Sequence, residues 1–399
     1  MGLRLATYNV ENLFARAKAL NADNFAEGEP ALAAYGEFNR IAAKPKYLAE
    51  DKTAMLAALE TLRVLVRTPG GLRRNPHPFD DAWALLRENK GEFLVAPDDA
   101  EPRIDADGRA AWNGWVELIK EPVDEISTRM TARVIGELAA DVLCLVEAED
   151  RPSLVRFNTE LLGGRYGHGM LVDGNDPRGI DVGLFTTAAI DVVWVRSHVD
   201  DPHPDDPKRP LFSRDCPVYH LRTPGGADLF VLLNHLKSQS FAGGNPDPLR
   251  RLQARRVRRI YDDLRADGVE LIAVLGDFNK GPDKTDPAHH PTLEALLDPG
   301  SPLLNAYTLP QFSQLFGDKD ANRERPGSFQ SCSLTNRLDY ILLSPELAAK
   351  VTDGGVFRKG LWGPPRNKTK PTLWTIYPEI TAARHAASDH AAVWVEFDD

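Results

Sequence analysis

Leu271-Ile272-Ala273-Val274-Leu275-Gly276-Asp277-Phe278-Asn279 is the stretch on which the reading of the chain turns. Asp267 and Gly268 precede the apolar run and Gly276 ends it, the pattern of a short strand buried on both faces. Two polar side chains follow at once, Asp277 and Asn279, with Phe278 between them. The ends of buried strands are places where a rigid scaffold can hold polar groups over a cleft. An ordinary turn after a core strand would look the same in isolation. The same event recurs, however. Apolar runs end at Asn9, at Glu147 and at Asn234-His235, and Ser388-Asp389-His390 directly precedes another.

A chain of 399 residues, 42% hydrophobic and 27% charged, can bury a large core as one α/β domain or two smaller ones. Its formal charge of −10 argues against a protein that coats nucleic acid generally. It leaves room for a local basic groove, or for a metal offsetting an acidic site. Cys144, Cys216 and Cys332 show no metal-ligand spacing and no disulfide framework, and Cys144 lies within an apolar strand. Residues 3–9 read as a strand rather than a secretory signal, and no apolar stretch is long enough to span a bilayer. The expectation is a cytoplasmic protein with no membrane partner and no obligate protein partner.

Along the chain, 51–66 has helical spacing, with Met55, Leu59, Leu62 and Val66 on one face, and 80–89 reads as a second short helix. Residues 123–140 form an amphipathic helix through Ile126, Met130, Val134 and Leu138, leading to a buried strand that ends in Glu147. A strand opens at Asp181, and 190–195 is expected to pair with it as a hairpin. The Pro- and Asp-rich 200–210 reads as a solvated loop. Residues 249–266 form a helix rich in arginine, a pattern that fits a solvated face better than a nucleic-acid ridge. A further short helix is expected over 292–297. Strands dominate the second half in hairpins as well as crossovers, which favours two packed sheets covered by helices over a doubly wound parallel sheet.

The polar residues at the run boundaries are Asn9, Glu147, Asp181, Asn234, His235, Asp277, Asn279, Asp339, Asp389 and His390. Carboxylates and amides without cysteine suit a hard cation such as Mg²⁺ or Mn²⁺. Two histidines and surplus acids suit acid–base chemistry around it. Singly, each has a plain structural explanation: a turn for Asn9, a satisfied core histidine for His235, an ion pair with Arg337 for Asp339.

Taken together they resemble the endonuclease/exonuclease/phosphatase superfamily. The matching stretches are Thr7-Tyr8-Asn9-Val10-Glu11-Asn12, Leu143-Cys144-Leu145-Val146-Glu147, Asn234-His235-Leu236-Lys237-Ser238, Gly276-Asp277-Phe278-Asn279, Arg337-Leu338-Asp339-Tyr340 and Ser388-Asp389-His390, in the family's order. The resemblance implies an α/β (α+β) fold, a four-layer α/β/β/α sandwich of two packed, mostly antiparallel β-sheets flanked by helices. It also implies hydrolysis of phosphate esters. By position, Glu147 would bind the divalent metal with Asn9 and Asp389 beside it. Asp277 would orient or deprotonate the attacking water, and Asn279 would hold the phosphate. His390, oriented by Asp339, would stabilise charge on the phosphoryl oxygens. His235, partnered by Asp181, would protonate the leaving oxygen. Asn234, Arg178 and Lys237 are further candidates for substrate contact.

The sequence departs from the family at three places. A large insertion, 21–122, separates Asn9 from Glu147; it is expected to pack on the same single catalytic domain, 1–399, and to reach the rim of the cleft. Val146 stands where many members have Gln. The stretch around Asp339 lacks the pattern of inositol polyphosphate 5-phosphatases. The first reading is therefore a Mg²⁺-dependent phosphodiesterase, a nuclease acting on nucleic acid. A phosphomonoesterase or lipid-headgroup phosphodiesterase on the same fold, of the inositol phosphatase or sphingomyelinase kind, is the alternative. A catalytically silent binding protein is disfavoured, because every catalytic position is filled.

The stretch from Lys359 to Trp374 holds Lys359, Arg366, Lys368 and Lys370, with Trp362 and Trp374 and no acidic residue. This stretch reads either as a basic lip for a polyanionic substrate or as a solvated loop between two core tryptophans.

Overall fold

The computed structural model describes residues 2–13, 15–20, 25–97, 99–122, 125–176, 178–239, 244–284, 286, 289–313, 325–363 and 374–399. The chain divides into two compact units, one made of Met1–Phe14 with Glu125–Asp399 and the other of Ala15–Asp124.

The first unit holds two six-stranded sheets. In one, the order is His168–Val172, Asp181–Thr186, Val142–Ala148, Gly2–Leu13, Ala392–Asp398, Val351–Phe357. In the other it is Asp191–Arg196, Val218–Arg222, Asp228–His235, Leu271–Asp277, Asp339–Leu343, Leu304–Asn305. Each sheet has one parallel pair at its centre, Gly2–Leu13 with Val142–Ala148 and Asp228–His235 with Leu271–Asp277, and the other named pairs are antiparallel. A parallel pair needs a crossover, and helices Ile126–Leu138 and Asp247–Ala266 lie in these two connections.

Alternation along the strands makes the layers. Ala273 and Leu275 join Leu3, Leu5, Val142, Cys144, Val182 and Leu184 in the core between the sheets. Ile272 and Val274 face the other way, against Val257, Ile260, Tyr261 and Leu264 of the arginine-rich helix. On the far face of the other sheet, Leu143, Leu145 and Trp394 pack on Met130, Ile135, Leu154 and Phe157. Strands covered on both faces read as unbroken apolar runs, and the four layers follow from that.

Several local expectations need correction. Residues 190–195 do not pair with the strand at Asp181: Asp191–Arg196 pairs with Val218–Arg222, so the turn at 187–190 carries the chain from one sheet to the other. The 200–210 stretch contains a small ribbon, Pro202–His203 with Asp206–Pro210. The helices at 123–140 and 292–297 are shorter, Ile126–Leu138 and Glu294–Leu297. Arginines of the long helix are paired off, Arg255 with Glu294, Arg256 with Asp201, Arg258 with Asp262 and Arg265 with Glu346, while Arg250 is buried.

The second unit has a core of its own. Helices Phe25–Ala42 and Ala49–Thr61 contribute Phe38, Ile41, Met55 and Leu59 to it, with Leu62, Phe93 and Trp112. The rings of Phe93 and Trp112 stack 4.1 Å apart, and the indole Nε1 donates to Tyr47 Oη at 3.0 Å. Residues 80–89 are not a helix. A short helix, Pro78–Asp81, precedes the strand Ala84–Lys90, which pairs with Asn113–Leu118. The unit's two ends meet in a ribbon of Ala15–Ala17 with Lys120–Pro122. Among the described residues no helix is long and apolar enough to cross a membrane.

Candidate active site

One row of register builds the centre. His235 lies opposite Asp277 in the parallel pair, and Asp277 opposite Asp339 in the antiparallel one. Residues opposite each other share a face, so three polar side chains emerge together where the apolar runs stop. Gly276 permits the approach: its φ is 127°, and a Cβ there would lie 1.9 Å from the carbonyl oxygen of Asn234. Only glycine fits that position.

Asp277 is nearly fully buried and is held by the turn after it and by the first strand of the other sheet. Its Oδ1 accepts from the backbone N–H of Asn279 at 2.8 Å; its Oδ2 accepts from Asn279 Nδ2 at 3.1 Å and from Asn9 Nδ2 at 3.2 Å. Asn279 sits at φ 54°, a conformation an Asn tolerates better than most residues. Burial, together with Asp339 and Glu147, pushes the Asp277 carboxyl up to about 7, against the pull of His390.

His390 completes the group. Its Nδ1 lies 2.7 Å from Asp339 Oδ2, which also accepts from Ser328 Oγ at 2.6 Å. Ser388 Oγ donates to the Asn9 carbonyl at 2.7 Å and accepts from His390 N–H at 2.9 Å, clamping the last loop to the first strand. Burial opposes an imidazolium here, but Asp339, Asp277 and Asp389 outweigh it and push His390 up to about 10. His390 is therefore a cation at neutral pH. His235 is its opposite: burial first, then Arg214, His390 and Arg178, hold it well below the ordinary value, so it stays neutral.

The Asp181–His235 pair expected from sequence is not formed. Asp181 Oδ1 accepts from Gly174 N–H at 2.7 Å, while His235 Nε2 lies 3.7 Å from both Glu147 Oε1 and Asp277 Oδ2. A backbone donor seven residues away captures the carboxylate first. Asn234 also turns away from the centre, its amide donating to the carbonyls of Leu232 and Leu275.

Glu147 stands on a bulge where the register with the next strand shifts, at φ 69°, and its Oε1 receives Asn9 Nδ2 at 3.3 Å. Glu11, which sequence reasoning left out of the site, belongs beside it. Its N–H donates to Asn9 Oδ1 at 3.0 Å, its Oε2 accepts from Asp389 N–H at 2.8 Å, and it too has a positive φ, 50°. Burial, Asp389 and Glu147 push it up to about 7. The alternation Asn9-Val10-Glu11 toward the end of a core strand was the available signal.

Among the described residues one cluster of ligand atoms is close enough to share a cation, and a second set is singled out by its donor chemistry. Ligand atoms of Asp277, Asp339 and His390 lie within 4.8 Å of one another. In that trio His390 Nδ1 is engaged with Asp339 Oδ2 at 2.7 Å, so it also reads as a hydrogen-bonded acid–base group. The quartet of Asn9, Glu11, Glu147 and Asp389 offers oxygen donors alone, with burial first and then neighbouring acids raising the Glu11 and Asp389 carboxyls. That donor set fits a hard ion.

Cations crowd the other side. Arg214, also missed in the sequence, is buried and donates to Leu236 O at 3.1 Å and to Asp176 at 3.5 Å. Arg178 is paired with Asp176 at 2.8 Å. Burial, then Arg214, Arg178 and Arg250, lower the Lys237 ammonium, against the pull of Asp176. Arg366 and Lys368 lie outside the described residues. Trp374 is a core side chain, its Nε1 donating to Leu361 O at 3.0 Å.

Residues 111–390 match the family described as Endonuclease/Exonuclease/phosphatase. The chain belongs to that family. Its members are metal-dependent hydrolytic phosphoesterases. No curated protein matches in sequence. Among solved structures, an endonuclease/exonuclease/phosphatase family protein from Bacteroides thetaiotaomicron shares 14% identity at a TM-score of 0.49, covering 100% of this chain and 99% of that one. A mannosyl-6-phosphatase of the same organism shares 17% at 0.48, over 69% and 92%. The human Nocturnin catalytic domain with bound sulfate shares 16% at 0.45, over 69% and 88%.

Proposed function

We propose that the protein is a Mg²⁺-dependent phosphodiester hydrolase that cleaves nucleic acid. The observation that carries the reading is the shared row of His235, Asp277 and Asp339 with His390 hydrogen-bonded to its end. Asn9, Glu11, Glu147 and Asp389 would hold the metal, which supplies Lewis-acid stabilisation of the phosphoryl oxygens when bound.

Asp277, its carboxyl made more basic by burial, orients the attacking water and takes its proton at Oδ. The new P–O bond forms from that water as the bond to the leaving group breaks. His390, cationic and fixed by Asp339, donates from Nε2 to a phosphoryl oxygen as charge grows there. Asn279 supplies an amide beside Asp277 to position the phosphate. Neutral His235 donates a hydrogen bond to the departing oxygen, which takes its proton from solvent; this replaces the proton-donor role expected from sequence. Arg178, Arg214 and Lys237 attract the polyanion.

The test is a substrate panel assayed with Mg²⁺, Mn²⁺, Ca²⁺ and EDTA. It comprises single- and double-stranded DNA, RNA, a nitrophenyl phosphodiester, inositol phosphates and sphingomyelin. Mg²⁺-dependent cleavage of an oligonucleotide is the expected result. Turnover confined to monoesters or to lipid headgroups, or turnover indifferent to EDTA, would sink the reading.

A further inference from the structure

Immediately past Asn279 the chain forms a second feature that the hydrolytic centre does not use. Lys280, Gly281 and Lys284 line a pocket of about 360 Å³ with Asp247 and Arg251 of the long helix and His290 from the following loop. The volume lies within the range of small-molecule sites.

Its wall is continuous with the centre. Lys280 follows the phosphate-positioning Asn279 directly, and Tyr340 Oη, one residue beyond Asp339, donates to the Lys280 carbonyl at 3.1 Å. Gly281 packs so tightly on the backbone of Thr335 that a Cβ there would lie 2.0 Å from its carbonyl oxygen. The pocket floor is thus braced against the segment that delivers Asp339.

The charges favour an anion. Asp247 is already answered twice, by Arg250 and by Lys280 at 2.8 Å, so its carboxylate is not an open repulsive group. Arg251 uses Nε on the Pro291 carbonyl at 3.0 Å and helps Arg255 hold down the Glu294 carboxyl; among the described residues its terminal nitrogens make no hydrogen bond, and neither does Lys284. Asp283 is the remaining carboxylate of the lining. His290 is more than nine-tenths buried, yet its Nδ1 has no hydrogen-bond partner. A buried polar atom without a partner is rare and calls for one.

We propose that this pocket binds a second phosphoryl group of the substrate, next to the ester that is cut, through Arg251 and Lys284 with His290 at its base. The inference rests on the phosphodiesterase reading and narrows it: the preferred substrate carries at least two phosphates. Guanidinium and ammonium groups on a phosphate make charge-assisted hydrogen bonds that a neutral sugar edge does not.

The experiment compares the wild type with Arg251→Ala combined with Lys284→Ala, one half-buried and one exposed position. Substrates are a dinucleotide without terminal phosphate and the same dinucleotide phosphorylated at its 5′ or its 3′ end. The variant should raise KM for one phosphorylated form on the order of 10-fold, leaving kcat and the unphosphorylated KM unchanged. The preferred end identifies which neighbouring phosphate is held. Separately, inorganic phosphate titrated in EDTA should move the ring signal of His290, assigned through His290→Gln, in the wild type and not in the double variant. Equal KM changes on all three substrates, no change on any, or a His290 signal indifferent to phosphate would overturn the pocket. If the wild type cleaves no dinucleotide, the nuclease reading has failed, and the phosphate titration still decides the pocket.

Discussion

Asn9 Nδ2 donates to Asp277 Oδ2 at 3.2 Å, joining the central strand of one sheet to the central strand of the other. The same amide nitrogen reaches Glu147 Oε1 at 3.3 Å. One uncharged side chain thus stands between two carboxylates, and its neutrality is what permits them to approach.

Asn9→Asp should therefore destabilise the protein by bringing a third negative charge to the same place. Thermal unfolding in EDTA should fall below the wild type, with part of the loss recovered in Mg²⁺. An unaltered melting temperature in EDTA would mean that the three groups are less crowded than the distances imply.

His390→Ala removes the cation, and Asp339→Asn removes the charge that keeps it cationic. Loss of a principal charge-stabilising group costs on the order of 10²-fold or more in kcat. Both variants should show that scale of loss on a nitrophenyl phosphodiester, with unfolding curves confirming that they remain folded. Near-normal turnover in either would remove the pair from the mechanism.

Asp181→Ala should behave quite differently. It deletes the acceptor of Gly174 N–H, a loss of about 1 kcal/mol in stability. Since the carboxylate is engaged there and not with His235, kcat should stay within a few-fold of wild type. A collapse of kcat would show that Asp181 reaches His235 once substrate is bound.

Gly276→Ala tests the strand end. The added methyl meets the Asn234 carbonyl and demands a positive φ that alanine resists, so a loss of several kcal/mol is expected. Denaturant unfolding measures it, and a variant as stable as wild type would mean the strands can part without penalty.

His290 provides the pH test. Burial holds its imidazole below the ordinary 6.5, against a raising effect of Asp298. The folded state then binds fewer protons than the unfolded state as pH falls through that value. Its contribution to stability is complete above about 6.5 and declines on acidification. Its ring signal should titrate below the usual histidine range, and His290→Gln should flatten the acid side of the stability curve; titration at or above 6.5 would contradict the burial argument.

The strand ends were legible because burial on both faces leaves an apolar run that stops abruptly, as at Leu275-Gly276. What joins those ends was less so. His390 with Asp339 came from likeness to a family, and the distance agrees; Asp181 with His235 came from the same source, and Gly174 had claimed the acid. Glu11 was passed over because a carboxylate at the open end of a strand looks solvated; it is exposed, and only the fold brings the Asp389 N–H to it. Ala84–Lys90 was misread since Ala, Leu, Arg, Glu and Lys favour helices, while the strand that overrides them includes Glu117, thirty residues from its partner Arg87.

The ribbon of Ala15–Ala17 with Lys120–Pro122 has a kinetic consequence. Asn9 and Glu147 are 138 residues apart in sequence, a long loop to close before the parallel pair forms. If the inserted unit folds first on its own core, the ribbon brings its ends together and the effective loop becomes several-fold shorter. At about 0.6 kcal/mol per doubling of length, this lowers the closure barrier by roughly 1 kcal/mol. The insertion would then act as a splint during folding, and the order of events along the chain would run from the inside of the intruding segment outward.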